Sequence, residues 1–568
     1  MFKFFLNRIT KQSQSITSAA IIIGGLSVAS RLLGIFRDRI LAGQFGAGDE
    51  LDIYYAAFRL PDLVYNLLIL GAVSAGLIPV FTALLAKHKE DEAWKLINSI
   101  LNLLSVALAV VCAILFFSAP WLVPLITPGF PPEKMATVVA MSQIMFLSPF
   151  FLGLSAIFSS ILQSFRKFLL YSLAPLFYNF GIIIGAIYLV KLFGIYGLAW
   201  GVVLGALMHM IIQLLPIFSV GFKYKLDFNW HDKNVIKVAV MMVPRTLSLA
   251  ISQINFLILT VVASTLAAGS LAIFNLSNNL QSFPLGIFGV SFGVAALPIL
   301  SALAADKKMD DFVATVSSTF RQTMFFILPA SALLYVLRAQ IVRVILGSGN
   351  FDWHDTRLTA ACLAIFCLGL FAQGAYPLVI RSFYAMHNTK TPFFVGLATM
   401  VVSIMSLLLF RWAFGFNNWF SFSVTAIIRL EDLWGLVDFR VLALPSAIVV
   451  SSIFELAVLF AILRLKVGKI SGTKIIDSMS RIVFASLGAG LFAYTTLQFF
   501  DLLVPTEKVW GIFTQGAVAG IFGCLGYWLL GYLLNMEEME VFISSMKRKL
   551  LKSAVVMAED NIGEGDRG

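Results

Sequence analysis

Charge is what this sequence has least of. Only 12% of its 568 residues are Asp, Glu, Lys or Arg, against about 25% in soluble globular domains. With 59% hydrophobic residues and a mean hydropathy of +0.91, the chain cannot clothe itself for water. That shortage excludes a soluble enzyme, a coiled coil and a disordered chain. Cysteine and histidine are scarce as well. Cys112, Cys362, Cys367 and Cys524 all lie inside apolar runs, so no disulfide framework is expected. The five histidines (His88, His209, His231, His354, His387) are scattered, and none sits in a metal or nucleophile constellation. No Walker motif is present to cradle a nucleotide. No enzymatic reaction, cofactor or metal is therefore expected. No cleavable signal peptide is expected: Met1–Ser15 is polar and basic, and the apolar stretch after it runs past Arg31 and Arg37.

What is abundant is long apolar sequence, with 52 Phe suited to lipid-facing helix surfaces. The expected fold class is an all-α polytopic membrane protein. A span needs about 20 apolar residues, and reading runs between polar or Gly/Pro breaks gives about 14. They lie near 17–44, 53–86, 97–126, 135–163, 168–191, 194–219, 236–267, 270–304, 313–346, 356–386, 391–413, 441–465, 478–503 and 508–534. The net charge of +11 would suggest nucleic acid in a soluble protein. Here it follows from cations in alternate loops, which set topology and meet anionic lipid heads, so membrane lipids and not nucleic acid are the expected partners. Lys87, Lys89 and Lys95, then Arg166 and Lys167, then Lys307 and Lys308 mark one side. Gly46–Leu51, Pro128–Glu133, Ala267–Ser270 and Gly347–Asp355 are poor in cations and mark the other. Both termini are thereby expected in the cytoplasm.

Two segments read alike. Pro79-Val-Phe-Thr-Ala-Leu-Leu-Ala follows Val73-Ser74, and Pro298-Ile-Leu-Ser-Ala-Leu-Ala-Ala follows Val290-Ser291, the prolines 219 residues apart. They fall in helices 2 and 8, so the repeat unit is six helices, and an even unit repeats in parallel. The expected organisation is a cytoplasmic N-terminal segment (1–16), an N-lobe (17–219), a cytoplasmic linker (220–235) and a C-lobe (236–465). The C-lobe carries an aromatic outer-side insertion at 415–440. Two further helices (478–534) and a cytoplasmic tail (536–568) follow. In that tail Val541, Phe542, Ile543 and Met546 beside Lys547-Arg548-Lys549 read as an interfacial amphipathic helix.

Ionisable groups at bilayer depth cost about 2.5–3.5 kcal/mol each, so each needs a reason. They concentrate in helices 1 and 2. Arg31 and Asp38 are seven apart, nearly on one face, with Arg37 on another azimuth; Asp52 and Arg59 repeat the seven-residue spacing. One reading is a cationic cleft that grips a phosphate-bearing group through bidentate arginine contacts. The other is Arg–Asp pairing between helices, with Asp52 and Arg59 as mutual partners. In the second lobe Arg245 sits early in helix 7, ahead of Gln253 and Asn255. Asn278, Asn279 and Gln281 interrupt helix 8 before Pro284. Broken backbone at membrane depth is tolerated where it lines a cavity.

Several blocks of sequence resemble the MurJ/MviN family of the multidrug/oligosaccharidyl-lipid/polysaccharide flippase superfamily. They are Ser30-Arg31-Leu-Leu-Gly-Ile-Phe-Arg37-Asp38, Phe45-Gly46-Ala47-Gly48, Phe58-Arg59-Leu60-Pro61-Asp62, Gly71-Ala72-Val-Ser74, Ser252-Gln253-Ile254 and Phe283-Pro284-Leu-Gly286. The resemblance covers about residues 16–535. It implies a flippase that moves lipid II, the undecaprenyl-pyrophosphate-linked peptidoglycan precursor, across the bacterial cytoplasmic membrane by alternating access, for cell wall biosynthesis. Cell-wall synthesis machinery is the implied protein partner. By position Arg31, Arg37 and Asp52 match the family's functional residues, and Arg59 and Arg245 complete the expected substrate-binding cations. The chain departs from the family pattern at Tyr65-Asn66 and Leu70 in helix 2, and at Asn279 in helix 8, where arginines or an acidic residue are usual. Asn66 and Asn279 are thus expected as polar substitutes in the site. Another polyprenyl-pyrophosphate-linked glycan stays open as cargo. A small-molecule antiporter and a non-transporting envelope scaffold remain as further alternatives.

Overall fold

The computed structural model describes residues 16–70, 76–416, 418–468, 472–502 and 508–544. The expected N-terminal segment, the Gly71–Ser74 motif and most of the basic, then acidic, tail lie outside them. The first helices are α1 (Ile16–Phe45), α2 (Asp49–Val64), α3 (Ile78–Ala86), α4 (Glu90–Ile126), α5 (Pro132–Met145) and α6 (Leu147–Ser164). Next come α7 (Phe168–Ile184), α8 (Val190–Phe193), α9 (Tyr196–Phe218), α10 (Lys233–Ser264), α11 (Ser270–Pro284) and α12 (Ser291–Ala305). The remainder are α13 (Met309–Val336), α14 (Arg338–Leu346), α15 (Trp353–Ala385), α16 (Lys390–Phe414), α17 (Trp419–Ile428), α18 (Ala443–Val467), α19 (Gly472–Asp501) and α20 (Val509–Leu533). No strand occurs among the described residues.

Ten described helices are long and apolar enough to cross a membrane, or eleven if α13 and α14, bent by 77°, form one span. The three expected spans outside that set, at 17–44, 53–86 and 236–267, each run over positions whose side chains are not described. The all-helical, multi-span class stands; among the described residues ten or eleven of the fourteen expected spans meet the test of length and hydropathy.

The chain divides into two compact units: one holds residues up to Leu280 with Ile345–Cys362 and Phe393–Ser451, the other Gln281–Val344, Leu363–Pro392 and everything from Ser452 on. The first unit's core centres on Phe81, Leu96, Ile157 and Ile161, with Trp94 stacked on Phe165 at 6.0 Å. Its α7 and α9 touch through small residues: a Cβ on Gly181 would stand 2.3 Å from the Gly205 Cα. In lipid, where burial drives no association between helices, such close backbone approach supplies the packing. The linker after α9 runs without regular structure along α4. There Asn98 accepts from the Lys225 N–H, and its amide and that of Asn102 donate to the carbonyls of Lys223 and Asp227.

Two irregular stretches share a form. A six-residue π-helical stretch follows α2 at Tyr65–Leu70, and another follows α11 at Leu285–Val290. Pro61 lies in the last turns of α2 and Pro284 closes α11. Their starts are 220 residues apart, within one residue of the spacing of the repeated prolines. Each widened turn leaves backbone groups less tightly paired and marks a place where the helix bends.

The cation-poor connections gather at one end of the first unit. Asn350 N–H donates to the Gly43 carbonyl at 2.8 Å, and Ala47 N–H to Asp355 Oδ2 at 3.0 Å. Gly269, at φ +85°, passes so close to Ala47 that a Cβ there would lie 1.8 Å from its carbonyl oxygen. The insertion joins this end. Asn418 and Ser421 cap α17 reciprocally, Arg357 grips Asp432, and Asp438 Oδ2 accepts from the Ala267 N–H at 3.2 Å.

Candidate functional site

Helices α1, α2, α10 and α11 meet along a buried polar seam in the first unit. At its centre Arg37 donates through Nε and Nη2 to Asp38 Oδ1, at 3.0 and 2.7 Å, and through Nη1 to Asn179 Oδ1 of α7 at 3.0 Å. Asp38, 5% exposed, accepts with its second oxygen from the Asn279 amide at 3.0 Å. Three of the five guanidinium donors are thus engaged, and the carboxylate ties α1 to α11. Arg31, two turns before Asp38 on nearly the same face of α1, is half-buried.

Asp52 and Arg59 are not each other's partners. Asp52, 2% exposed, accepts from the backbone N–H groups of Gly269 (2.8 Å) and Ala272 (2.9 Å) and pairs with Lys134 Nζ of α5 at 3.1 Å. A carboxylate from α2 therefore caps the N-terminus of α11, where the helix dipole and unpaired N–H groups favour an anion. Lys134 also reaches Asp49 at 2.6 Å and lies over the Phe130 ring at 3.8 Å.

Arg59 donates through Nη2 to Asn275 Oδ1 at 2.7 Å and faces the Phe256 ring at 5.6 Å. Its Nε is buried with no hydrogen-bond partner, and so are the Tyr55 hydroxyl and the Asn255 carbonyl oxygen. Tyr55 and Arg59 are four apart on one helix face, and Asn255 adjoins Phe256. Buried polar atoms are almost always paired in proteins, so three orphans on neighbouring positions mark where a polar ligand or water would sit. The Asn66 amide donates to the Asp62 carbonyl one turn back at 2.9 Å. Arg245 lies on α10, and its side chain is outside the described residues.

Sequence reading thus placed Arg37, Asp52, Arg59 and Asn279 in the seam but missed Lys134, Asn179, Asn275 and Tyr55. Lys134 and Asn275 carried a legible signal, a cation just inside α5 and a polar residue in an apolar run. Their partners did not. In the second unit Glu455 was also passed over, although it is the only carboxylate in α18. That unit further holds an open apolar cavity of about 890 Å³, lined by Phe320, Phe371, Ile453, Phe460 and Met479, with Arg464 the one charged lining residue among those described. No cluster of metal-binding side chains occurs among the described residues.

A family model described as "Lipid II flippase MurJ" matches residues 41–514. The chain is 29% identical over 415 residues to a probable lipid II flippase MurJ of Vibrio cholerae serotype O1, covering 71% of this chain and 79% of that one. It is 27% identical over 396 residues to a lipid II flippase MurJ of Burkholderia cenocepacia, covering 68% and 77%. Among solved structures it resembles a lipid II flippase MurJ in an inward closed conformation, with a TM-score of 0.70 at 23% identity, covering 90% of this chain and 98% of that one. It also resembles an inward-facing multidrug MATE transporter, with a TM-score of 0.62 at 12% identity, covering 79% and 98%. At such identities the two structures speak for the fold.

Proposed function

The chain belongs to the lipid II flippase MurJ family, and on that premise we propose that it translocates the lipid-linked peptidoglycan precursor across the bacterial cytoplasmic membrane by alternating access. The match over residues 41–514 carries this reading. The seam supports it chemically. A pyrophosphate needs cationic N–H donors held where water is scarce, and Arg31, Arg37 and Arg59 stand on α1 and α2 with the Arg59 Nε unclaimed. The apolar cavity of the second unit has the lining a polyprenyl chain requires, with Arg464 as a cation among its walls.

Lobes 17–219 and 236–465 are the proposed moving bodies, and both termini lie in the cytoplasm. On that orientation the gathered cation-poor loops close the outer end. Release of cargo outward then breaks the bonds from Asp52 to Gly269, from Ala47 to Asp355 and from Asn350 to Gly43. No covalent chemistry is assigned to any residue. A membrane potential supplies about 2.3 kcal/mol per charge per 100 mV to an anionic head group. Enzymes that make and consume the precursor are the proposed protein partners.

The test is complementation of a bacterium depleted of its own lipid II flippase. The unaltered chain restores growth, and Arg31→Ala or Arg59→Ala chains, confirmed in the membrane, do not. One observation favours a second cargo, another polyprenyl-pyrophosphate-linked glycan: Asn279 donates to Asp38 at a position where the family usually carries arginine. Absence of rescue by a well-inserted unaltered chain selects that reading.

A further inference from the structure

The described part of the second unit closes with a short helix, residues 537–544, beyond the last span. It is held at both of its faces. Arg321 of α13 donates through Nη1 to Glu537 at 2.8 Å and to Glu538 at 2.7 Å, and the Ser478 hydroxyl of α19 adds a 2.9 Å bond to Glu538. Glu538 is 5% exposed, unusual for a carboxylate. Arg481 steadies the turn before the helix by donating to the carbonyls of Leu534 and Asn535. Met536 and Met539 are buried, with Gly531 of α20 leaving room for both sulfurs.

One residue of this helix connects it to distant machinery. The Phe542 ring meets Trp528 at 5.7 Å and Phe326 of α13 edge-on at 5.4 Å. Phe326 in turn stacks on Phe288 at 5.0 Å, with planes 6° apart, and on Phe292 at 5.9 Å. Phe288 lies inside the π-helical turn after α11, and Phe292 is the second residue of α12. Four rings therefore run unbroken from the chain's last described helix to the point where helix 8 is irregular. That turn contains Gly286 and Gly289 and follows Pro284, so its own backbone does little to hold it in one shape.

We propose that the helix at 537–544 is a built-in latch: docked by Glu537 and Glu538, it presses Phe542 against Phe326 and so restrains the π-helical turn at Leu285–Val290. An undocked tail frees Phe326 to rotate, and the stack on Phe288 loosens with it. Bending of helix 8 thereby answers to whatever holds or releases the tail. The sequence just downstream, Lys547-Arg548-Lys549, is of the kind that anionic lipid heads attract.

The test is hydrogen–deuterium exchange on the full chain in nanodiscs, read at peptides covering 285–292, and it is independent of cargo identity. Phe542→Ala speeds exchange there by about tenfold, the scale of one aromatic pair. A chain ending at Asn535 does the same, while α17 in the first unit keeps its protection. Arg321→Gln, which removes the ion pairs to both glutamates, gives the same result through undocking. Unchanged exchange at 285–292 in the chain that lacks the helix overturns the latch. Acceleration on truncation but not in Phe542→Ala, with 537–544 still docked, overturns the aromatic route.

Discussion

Asn279 donates to Asp38 at 3.0 Å, an uncharged amide meeting a buried carboxylate that an adjacent arginine, Arg37, already serves. Asp38 thus accepts three hydrogen bonds, two from Arg37 and one from Asn279, and the last ties α1 to α11. Asn279→Asp would place like charges at hydrogen-bond distance. Translocation is expected to fall at least as far as in Asn279→Ala, where loss of a hydrogen bond to a charged group costs about 1.5–3 kcal/mol. Growth rescue in the flippase-depleted strain, compared between the two variants, checks the order.

The Asp52 carboxylate serves a cap and an ion pair at once. Asp52→Ala leaves Lys134 with Asp49 alone and the first turn of α11 uncapped. The expected loss of stability is about 3–5 kcal/mol, the usual result of breaking a buried pair from one side. Lys134→Met added to Asp52→Ala should restore part of it, because no buried charge is then left unbalanced. Thermal unfolding of the purified variants in one detergent measures both.

Gly269 cannot accept a side chain. Its φ of +85° disfavours any L-residue, and its would-be Cβ overlaps the Ala47 carbonyl oxygen at 1.8 Å. Gly269→Ala should therefore force the α10–α11 turn away from Ala47 and lower thermal stability. Gly435→Ala, at φ +79° but with open space around it, isolates the cost of backbone conformation. The difference between the two melting shifts reports the clash.

Acid should loosen the insertion. Burial pushes the Asp438 carboxyl up, but hydrogen bonds from the side chain and backbone of Arg440 and from the Ala267 N–H outweigh it, leaving it below its ordinary 3.8. Asp432 is lowered as well, chiefly by the Arg357 hydrogen bond. A depressed carboxyl contributes stability above its unfolded value and loses it as pH falls through the folded one. The anchoring is therefore full at neutral pH and decays only below about pH 4. Limited proteolysis between residues 416 and 440 should stay slow down to that range and accelerate beneath it, and Asp438→Asn should remove much of this dependence.

The membrane class, the long apolar helices, the paired breaks in helices 2 and 8, and the charged blocks of α1 and α2 were all legible in the sequence, because each follows from local composition and spacing. Lipid demands long apolar runs whatever the tertiary fold, and an ionisable residue inside one stands out without any partner in view. Partners are another matter. The seven-residue spacing of Asp52 and Arg59 satisfied helix geometry, yet Asp52 met α5 and the end of α11, and Arg59 met Asn275. Only packing brings residues about 220 positions apart within bonding distance, and a buried charge takes whichever donors arrive there. The reach of Phe542 to Phe326, and through it to Phe288, was likewise invisible, since single aromatic residues in apolar sequence look alike until tertiary structure sets them ring against ring.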